Sequence, residues 1–300
     1  MKKLNVQDEI AKNKIKSIGL MLVVFLSFIF LAYVISQFYD PGLAYFFVTI
    51  ALIFSLLFTF FSYYYSDRIV LASVRARPAT KKENTYLVNV VEELAIAAGV
   101  PTPKIYVIDS DELNAFATGR DPQHAVICVT TGLMRILNRS ELEGVIAHEM
   151  SHVANYDVRF GTLVAVMVGM IVIIADMFRR SMLYGGVRRD RDDEGDSGGL
   201  LIVVGLLFAI LAPIFVKLIQ LAISRKREYL ADSNGAYLTR YPEGLASALE
   251  KIKKNNTGAL RVSRAVAPLF IVNPFSVRKV VELLSTHPDI NDRIRRLRSM

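Results

Sequence analysis

His148-Glu149-Met150-Ser151-His152 is the stretch on which the reading of this chain turns. Residues four apart on an α-helix are separated by one turn plus about 40°, so both imidazoles project from one face. Two nitrogens so placed can grip a tetrahedral divalent metal at about 2.0–2.1 Å. Glu149 stands beside the first histidine and leans to the same side, within reach of a water on such a metal. Its carboxylate can take a proton from that water as the water attacks a peptide carbonyl. Ser140 and Glu143 have capping-box spacing, which predicts a helix that opens at Ser140 and carries the motif. Val145, Ile146 and Val153 give its other faces something to pack. Histidines at this spacing beside a glutamate arise by chance in about one chain in a hundred of this length, so the ligand set has to be completed from elsewhere.

A catalytic metal site needs a third protein ligand and an open position. Cys128 is the only cysteine, which excludes both an internal disulfide and a thiol-rich site, leaving His and carboxylate as ligands. His124 follows Asp121-Pro122-Gln123 and reads as a solvated turn residue. Ser224 to Asp232 reads as a helix with carboxylates at Glu228 and Asp232 on one face. The first could bind the metal, and the second could accept a hydrogen bond from a ligating imidazole and fix its tautomer. Spacing alone describes a surface carboxylate pair with a nearby cation equally well.

The rest of the composition points to a bilayer. Apolar residues make up 53% of the 300 positions and charged residues 21%, with a mean hydropathy of +0.36. So much apolar surface has to sit somewhere other than a water-facing core. Ser17 to Tyr39 and Pro41 to Ser66 are uncharged runs, each long enough to cross a hydrocarbon layer of about 30 Å as a helix. Asp40-Pro41-Gly42 makes a tight turn between them, and Tyr63 to Tyr65 suit an interface. The net charge of +8 would suit nucleic acid, but its position argues otherwise. Lys2, Lys3, Lys12, Lys14 and Lys16 precede the first run, and Arg68, Arg75, Arg77, Lys81 and Lys82 follow the second. Basic residues banked against apolar segments predict a helical hairpin with a cytoplasmic N-terminus and no nucleic-acid partner.

Residues 67–158 look soluble. Glu83 to Ala98 has helical periodicity and stops at Gly99; Lys104 to Ile108 and Ala125 to Thr130 read as strands, with Asn114 to Gly119 a third. Two more apolar runs follow, Phe160 to Ala175 and Ser197 to Val216, around a Gly-rich charged loop from Arg179 to Gly199. Composition makes that loop a solvated linker. Glu243 to Lys254, Val277 to Leu284 and Pro288 to Leu297 then show helical spacing. The boundaries are 1–66 for the tail and membrane hairpin, 67–158 for the first half of a catalytic domain, 159–223 for the second apolar hairpin, and 224–300 for the second half. His152 and Glu228 flank the later runs, so they meet only if the chain crosses the membrane an even number of times between them. Both runs span, or neither does. Spanning would export five arginines between Arg179 and Arg191, against the charge rule, yet it is the expectation we carry forward.

In their order along the chain, these features resemble the HtpX-type membrane zinc proteases, relatives of the type I CAAX prenyl proteases. The resemblance rests on two N-terminal apolar helices, Asn114-Ala115-Phe116-Ala117, the His148 motif, two more apolar runs, Glu228-Tyr229-Leu230-Ala231-Asp232, and His287-Pro288 with Arg293. It implies an α-helical membrane protein bearing an α+β, zincin-like (gluzincin) catalytic domain on the cytoplasmic face of the cell membrane. One zinc ion per chain would be held by His148, His152 and Glu228, with Asp232 supporting the ligands. By the same resemblance Asn114, Ala115, Phe116 and Ala117 form an edge strand that takes the substrate backbone, as an unpaired edge can. His287 would steady the oxyanion, and Arg293 would pair with a site carboxylate. The implied substrates are damaged or misfolded membrane proteins, cleaved in stress-responsive quality control.

A prenyl-protein peptidase would share the chemistry, but it typically needs more membrane helices to enclose its substrate than the four this chain offers at most. A metal-binding scaffold without catalysis would not require Glu149.

Overall fold

A computed structural model describes residues 6–169, 224–255, 260, 262–263, 265–274 and 288–300. Most of the second apolar hairpin, its charged loop, the expected helix at 277–284 and His287 lie outside the described residues.

The chain opens on two long helices, α1 (Val6–Tyr39) and α2 (Ala44–Tyr64). Pro41 cannot continue α1, and a single 3-10 turn over Pro41–Leu43 reverses the chain, with the Asp40 side chain accepting from Gly42 N–H at 2.8 Å. The helices pack through Phe28, whose ring meets Phe54 and Phe58 edge-on at 5.2 Å each. Leu22, Leu26, Phe30, Ile50, Ile53 and Leu57 face outward, exposed. An apolar surface of that extent in water would drive association. Ile10–Val34 and Pro41–Tyr64 are long and apolar enough to cross a bilayer, as the sequence leads one to expect.

After α3 (Ser66–Ser73) and a short strand β1 (Arg77–Pro78), α4 (Thr85–Ala98) ends where Gly99 takes a left-handed φ of 67°. The strands β2 (Lys104–Ile108), β3 (Ala115–Gly119) and β4 (Ala125–Thr130) follow. Sheet order is β1-β2-β4-β3. β2 and β4 are parallel, with Lys104 opposite Val126; β3 returns antiparallel, with Ala115 opposite Val129. All six residues of β4 are buried because the sheet is covered on both faces. Val107, Ile127 and Val129 pack on Leu87, Val91 and Leu94 of α4 and on Leu142, Ile146 and Met150. Ile108, Phe116, Val126 and Cys128 meet Val70 and Leu71 of α3, and Val74 just after it, on the other face. Double coverage explains why these strands read as continuous apolar runs. Each such side chain contributes about 1.5–3 kcal/mol of burial.

A one-turn helix α5 (Thr131–Ile136) leads to α6 (Arg139–Ala154), which carries the metal motif. Its cap differs from the sequence expectation. Asn138, not Ser140, is the N-cap: Asn138 Oδ1 accepts from Glu141 N–H at 3.0 Å, and Glu141 Oε2 accepts from Asn138 N–H at 2.8 Å. The Ser140 hydroxyl donates to Asn138 Oδ1 instead. Both residues are good caps three positions before a glutamate, and spacing alone does not choose between them.

Past Asn155 and Tyr156, the latter at φ 59°, α7 runs over 157–169. Phe160, Leu163, Val164 and Met167 of α7 pack on Leu20, Val24 and Phe58, so the domain rests directly on the apolar hairpin. The domain is completed by α8 (Arg225–Thr239), α9 (Pro242–Asn255) and α10 (Ile290–Arg298). α9 crosses α6 at Gly144, where a Cβ would stand 2.6 Å from the Leu245 backbone nitrogen.

Candidate metal centre

α6 lies in the middle of the domain, and His148 and Glu149 are buried on it. α8 reaches it because Gly235 lets the backbones approach: a Cβ there would sit 3.0 Å from His148 N. This contact sets Glu228 opposite both imidazoles. Glu228 Oε2 is 3.7 Å from His148 Nε2, and Oε1 is 3.7 Å from His152 Nε2. The two imidazole nitrogens face each other at 3.3 Å.

The far side of each ring is fixed by a carboxylate. His148 Nδ1 is 2.9 Å from Asp232 Oδ1, and His152 Nδ1 is 3.0 Å from Asp157 Oδ2. With each Nδ1–H donated outward, the inner Nε2 atoms present lone pairs to each other. Two lone pairs and a carboxylate converging on one point repel unless a cation lies between them. Tetrahedral ligands at about 2.0–2.1 Å from a metal stand about 3.3–3.4 Å apart, close to the observed nitrogen separation. Among the described residues, His148, His152 and Glu228 form a group whose ligand atoms all lie within 4.8 Å of one another. Glu149 Oε1, beside them, is buried and has no hydrogen-bond partner among the described residues. A buried oxygen is left bare where a ligand or water belongs. The donor set therefore fits a divalent metal.

Arg293 closes the site from α10. Tyr229 on α8 donates to Asp292 Oδ2 at 2.6 Å, which holds α10 in place. The Arg293 guanidinium then donates to both oxygens of Asp232, at 2.9 and 2.7 Å, and to the Ile271 carbonyl at 3.0 Å. It is 1% exposed. Burial opposes a charge there, but Asp232 keeps the guanidinium ionised, and Arg293 in turn holds the Asp232 carboxyl down at about 2 against its own burial. Burial also pushes Glu149 up to about 7, reinforced by Glu228 and opposed by His152, Arg293 and the Ala117 N–H. For His152, burial favours the neutral ring, and Asp157, Glu228 and Glu149 outweigh it to raise the group to about 9.

β3 is the outer strand of the sheet, and Ala117 lines the cleft with His148, Glu149, His152 and Glu228. The strand is not bare. Phe270 pairs across Phe116, their rings 4.8 Å apart, and Ile271 N–H donates to Ala115 O at 2.9 Å. Asn114 is committed within the chain, its amide donating to Val272 O at 2.9 Å. With the 268–271 segment in place, a cleft of about 50 Å³ remains beside these residues, room for water. His124 lies in its turn, half exposed, with Nδ1 2.6 Å from Asp121. Asp157 escaped the sequence reading. On a continued helix, five residues past His152 would point about 140° away, but the break at Tyr156 brings it back.

Comparison with known proteins agrees with this geometry. Residues 81–300 match the family model described as Peptidase family M48. A "Protease HtpX homolog" of Dictyoglomus turgidum is 49% identical over 304 residues, covering 100% of this chain and 96% of that one. A protein of the same description from Thermoanaerobacter pseudethanolicus is 45% identical, covering 97% of each chain. The solved structure titled "Crystal Structure of S. mikatae Ste24p" has the fold in common at a TM-score of 0.50 and 20% identity, covering 97% of this chain and 66% of that chain.

Proposed function

The chain is a membrane metalloprotease belonging to peptidase family M48, and on that footing we propose that it is a zinc endopeptidase clearing damaged or misfolded membrane proteins at the cytoplasmic face of the cell membrane. The observation that carries the reading is the convergence of His148, His152 and Glu228 around the partnerless oxygen of Glu149. Imidazole and carboxylate ligands favour zinc. The α+β domain is then a zincin-like gluzincin, with glutamate as third ligand.

Zinc, when bound, supplies Lewis acidity toward water and a peptide carbonyl. The chain's own residues do the rest. Asp232 and Asp157 hold the imidazoles with their lone pairs inward, and Arg293 keeps Asp232 ionised. Glu149 takes a proton from water at its bare oxygen while the water oxygen bonds the carbonyl carbon. As the C–N bond breaks, the same carboxyl returns the proton to the departing nitrogen. His287 is proposed, on the family resemblance, to stabilise the oxyanion.

The substrate backbone is proposed to lie along Asn114 to Ala117, its pairing directed to the Ala117 end, where the strand meets Glu149. Pairing at Ala115 requires the Phe270–Ile271 segment to give way. Recognition through main-chain groups leaves side-chain preference broad. Purified protein in detergent, offered an unfolded membrane protein beside a farnesylated C-terminal peptide, is expected to cut the first at several sites and leave the second intact. Cleavage of the farnesylated peptide alone would favour the prenyl-peptidase reading.

The same site sets a topology. His152 and Glu228 are brought together, so residues 159–223 cross the bilayer twice or not at all; we propose that both runs cross. Single cysteines at 185–199 are then expected to react with an impermeant reagent from outside the cell. Labelling from the cytoplasmic side alone would mean that neither run crosses.

A further inference from the structure

The first membrane helix enters the metal centre through one polar side chain. Asn13 belongs to the apolar span Ile10–Val34, yet it is 1% exposed. Its amide nitrogen donates to Asp157 Oδ1 at 2.7 Å and to the Asn155 carbonyl at 3.1 Å. Its amide oxygen accepts from Arg227 Nη1 at 3.3 Å. Every one of these partners adjoins the ligand set. Asp157 holds His152 with its other oxygen, Asn155 caps the motif helix, and Arg227 immediately precedes Glu228.

A docking role alone would be the plain account of such an amide, but α1 is docked already. Leu20 and Val24 pack on Phe160, Leu163 and Val164, and Lys14 Nζ sits 4.4 Å above the Tyr156 ring. What Asn13 adds is a donor to the Asp157 carboxylate, which orients His152. It also stands between that carboxylate and the Arg227 guanidinium, 3.8 Å from Asp157 Oδ1. Without the amide, the guanidinium would draw Asp157 toward itself and away from the imidazole, because a charge-assisted pair outcompetes a neutral donor.

We infer that Asn13 is a positioning residue of the metal centre: through Asp157 it holds His152 in its ligating orientation, so the first membrane helix is part of the site rather than an anchor alone. The inference rests on the metalloprotease reading of that site.

The test measures zinc loss to a chelator from the full-length, zinc-loaded protein in detergent. Removing an outer support of a metal ligand typically costs 10–100-fold in affinity. Asn13→Leu and Asp157→Ala are each expected to release zinc at least about tenfold faster than the parent. The double variant is expected to be no faster than Asp157→Ala, since one residue acts through the other. Lys14→Ala, which disturbs the same helix at its other contact, is expected to release zinc at the parent rate. Should Asn13→Leu fail to fold, Asn13→Ser, too short to reach Asp157, carries the same expectation. Release at the parent rate from either Asn13 variant, or full additivity in the double variant, would overturn the inference. A parent protein that binds no zinc would instead overturn the site reading on which it stands.

Discussion

Glu149→Gln is expected to lower peptide hydrolysis by about 10²–10⁴-fold while leaving one metal per chain. The amide has the shape of the carboxylate but cannot take a proton from water. Metal content should hold because Glu149 stands beside the His148, His152 and Glu228 group and is not a member of it. Stability should hold or rise. The parent carboxylate is 1% exposed, its Oε1 has no partner among the described residues, and burial pushes it up to about 7, so its charge destabilises the folded state. Hydrolysis by the variant within a few-fold of the parent, at equal metal content, would remove Glu149 from the reaction.

The second large effect concerns Arg293. Arg293→Met strips Asp232 of two hydrogen bonds and of the guanidinium that balances its charge, leaving a carboxylate 2% exposed against His148. Breaking a buried ion pair from one side costs about 3–5 kcal/mol. Denaturant unfolding in detergent is expected to show a loss of that order, together with faster release of the metal. Arg293→Lys should recover only part of it. One ammonium cannot bridge both oxygens of Asp232 and also reach the Ile271 carbonyl as the guanidinium fork does. A change below about 1 kcal/mol for Arg293→Met would place the pair in a solvated setting and contradict the burial described here.

These residues were not equally legible in the sequence. His148, Glu149 and His152 are a local pattern, and helical geometry suffices to bring them together. The membrane hairpin and the strands β2 to β4 were readable for a similar reason, since uncharged runs and β-branched stretches carry their own signal. Glu228 and Asp232 could be seen as a pair on one helix face, but nothing in their spacing says what they face. That required resemblance to a family, and so did Arg293. The helix cap is Asn138 rather than the expected Ser140, because two overlapping patterns meet the same spacing rule. Asp157 was invisible because its position depends on a left-handed residue at Tyr156. Asn13, set among Lys12, Lys14 and Lys16, read as part of a cytoplasmic flank. Only its burial against residues 142 and more positions away gives it another role. The edge strand was found, whereas its partial cover by Phe270 and Ile271 follows from a pairing that no local pattern announces.

We propose that His148, His152 and Glu228 hold one metal on which hydrolysis depends. Its most direct test is elemental analysis of the purified protein, paired with hydrolysis of an unfolded membrane protein before chelation, after it, and after zinc is returned. One zinc per chain is expected, with loss of metal and activity together, recovery of both, and a substoichiometric, inactive Glu228→Ala. Undiminished hydrolysis by metal-free protein, or a full complement of zinc in Glu228→Ala, would contradict it.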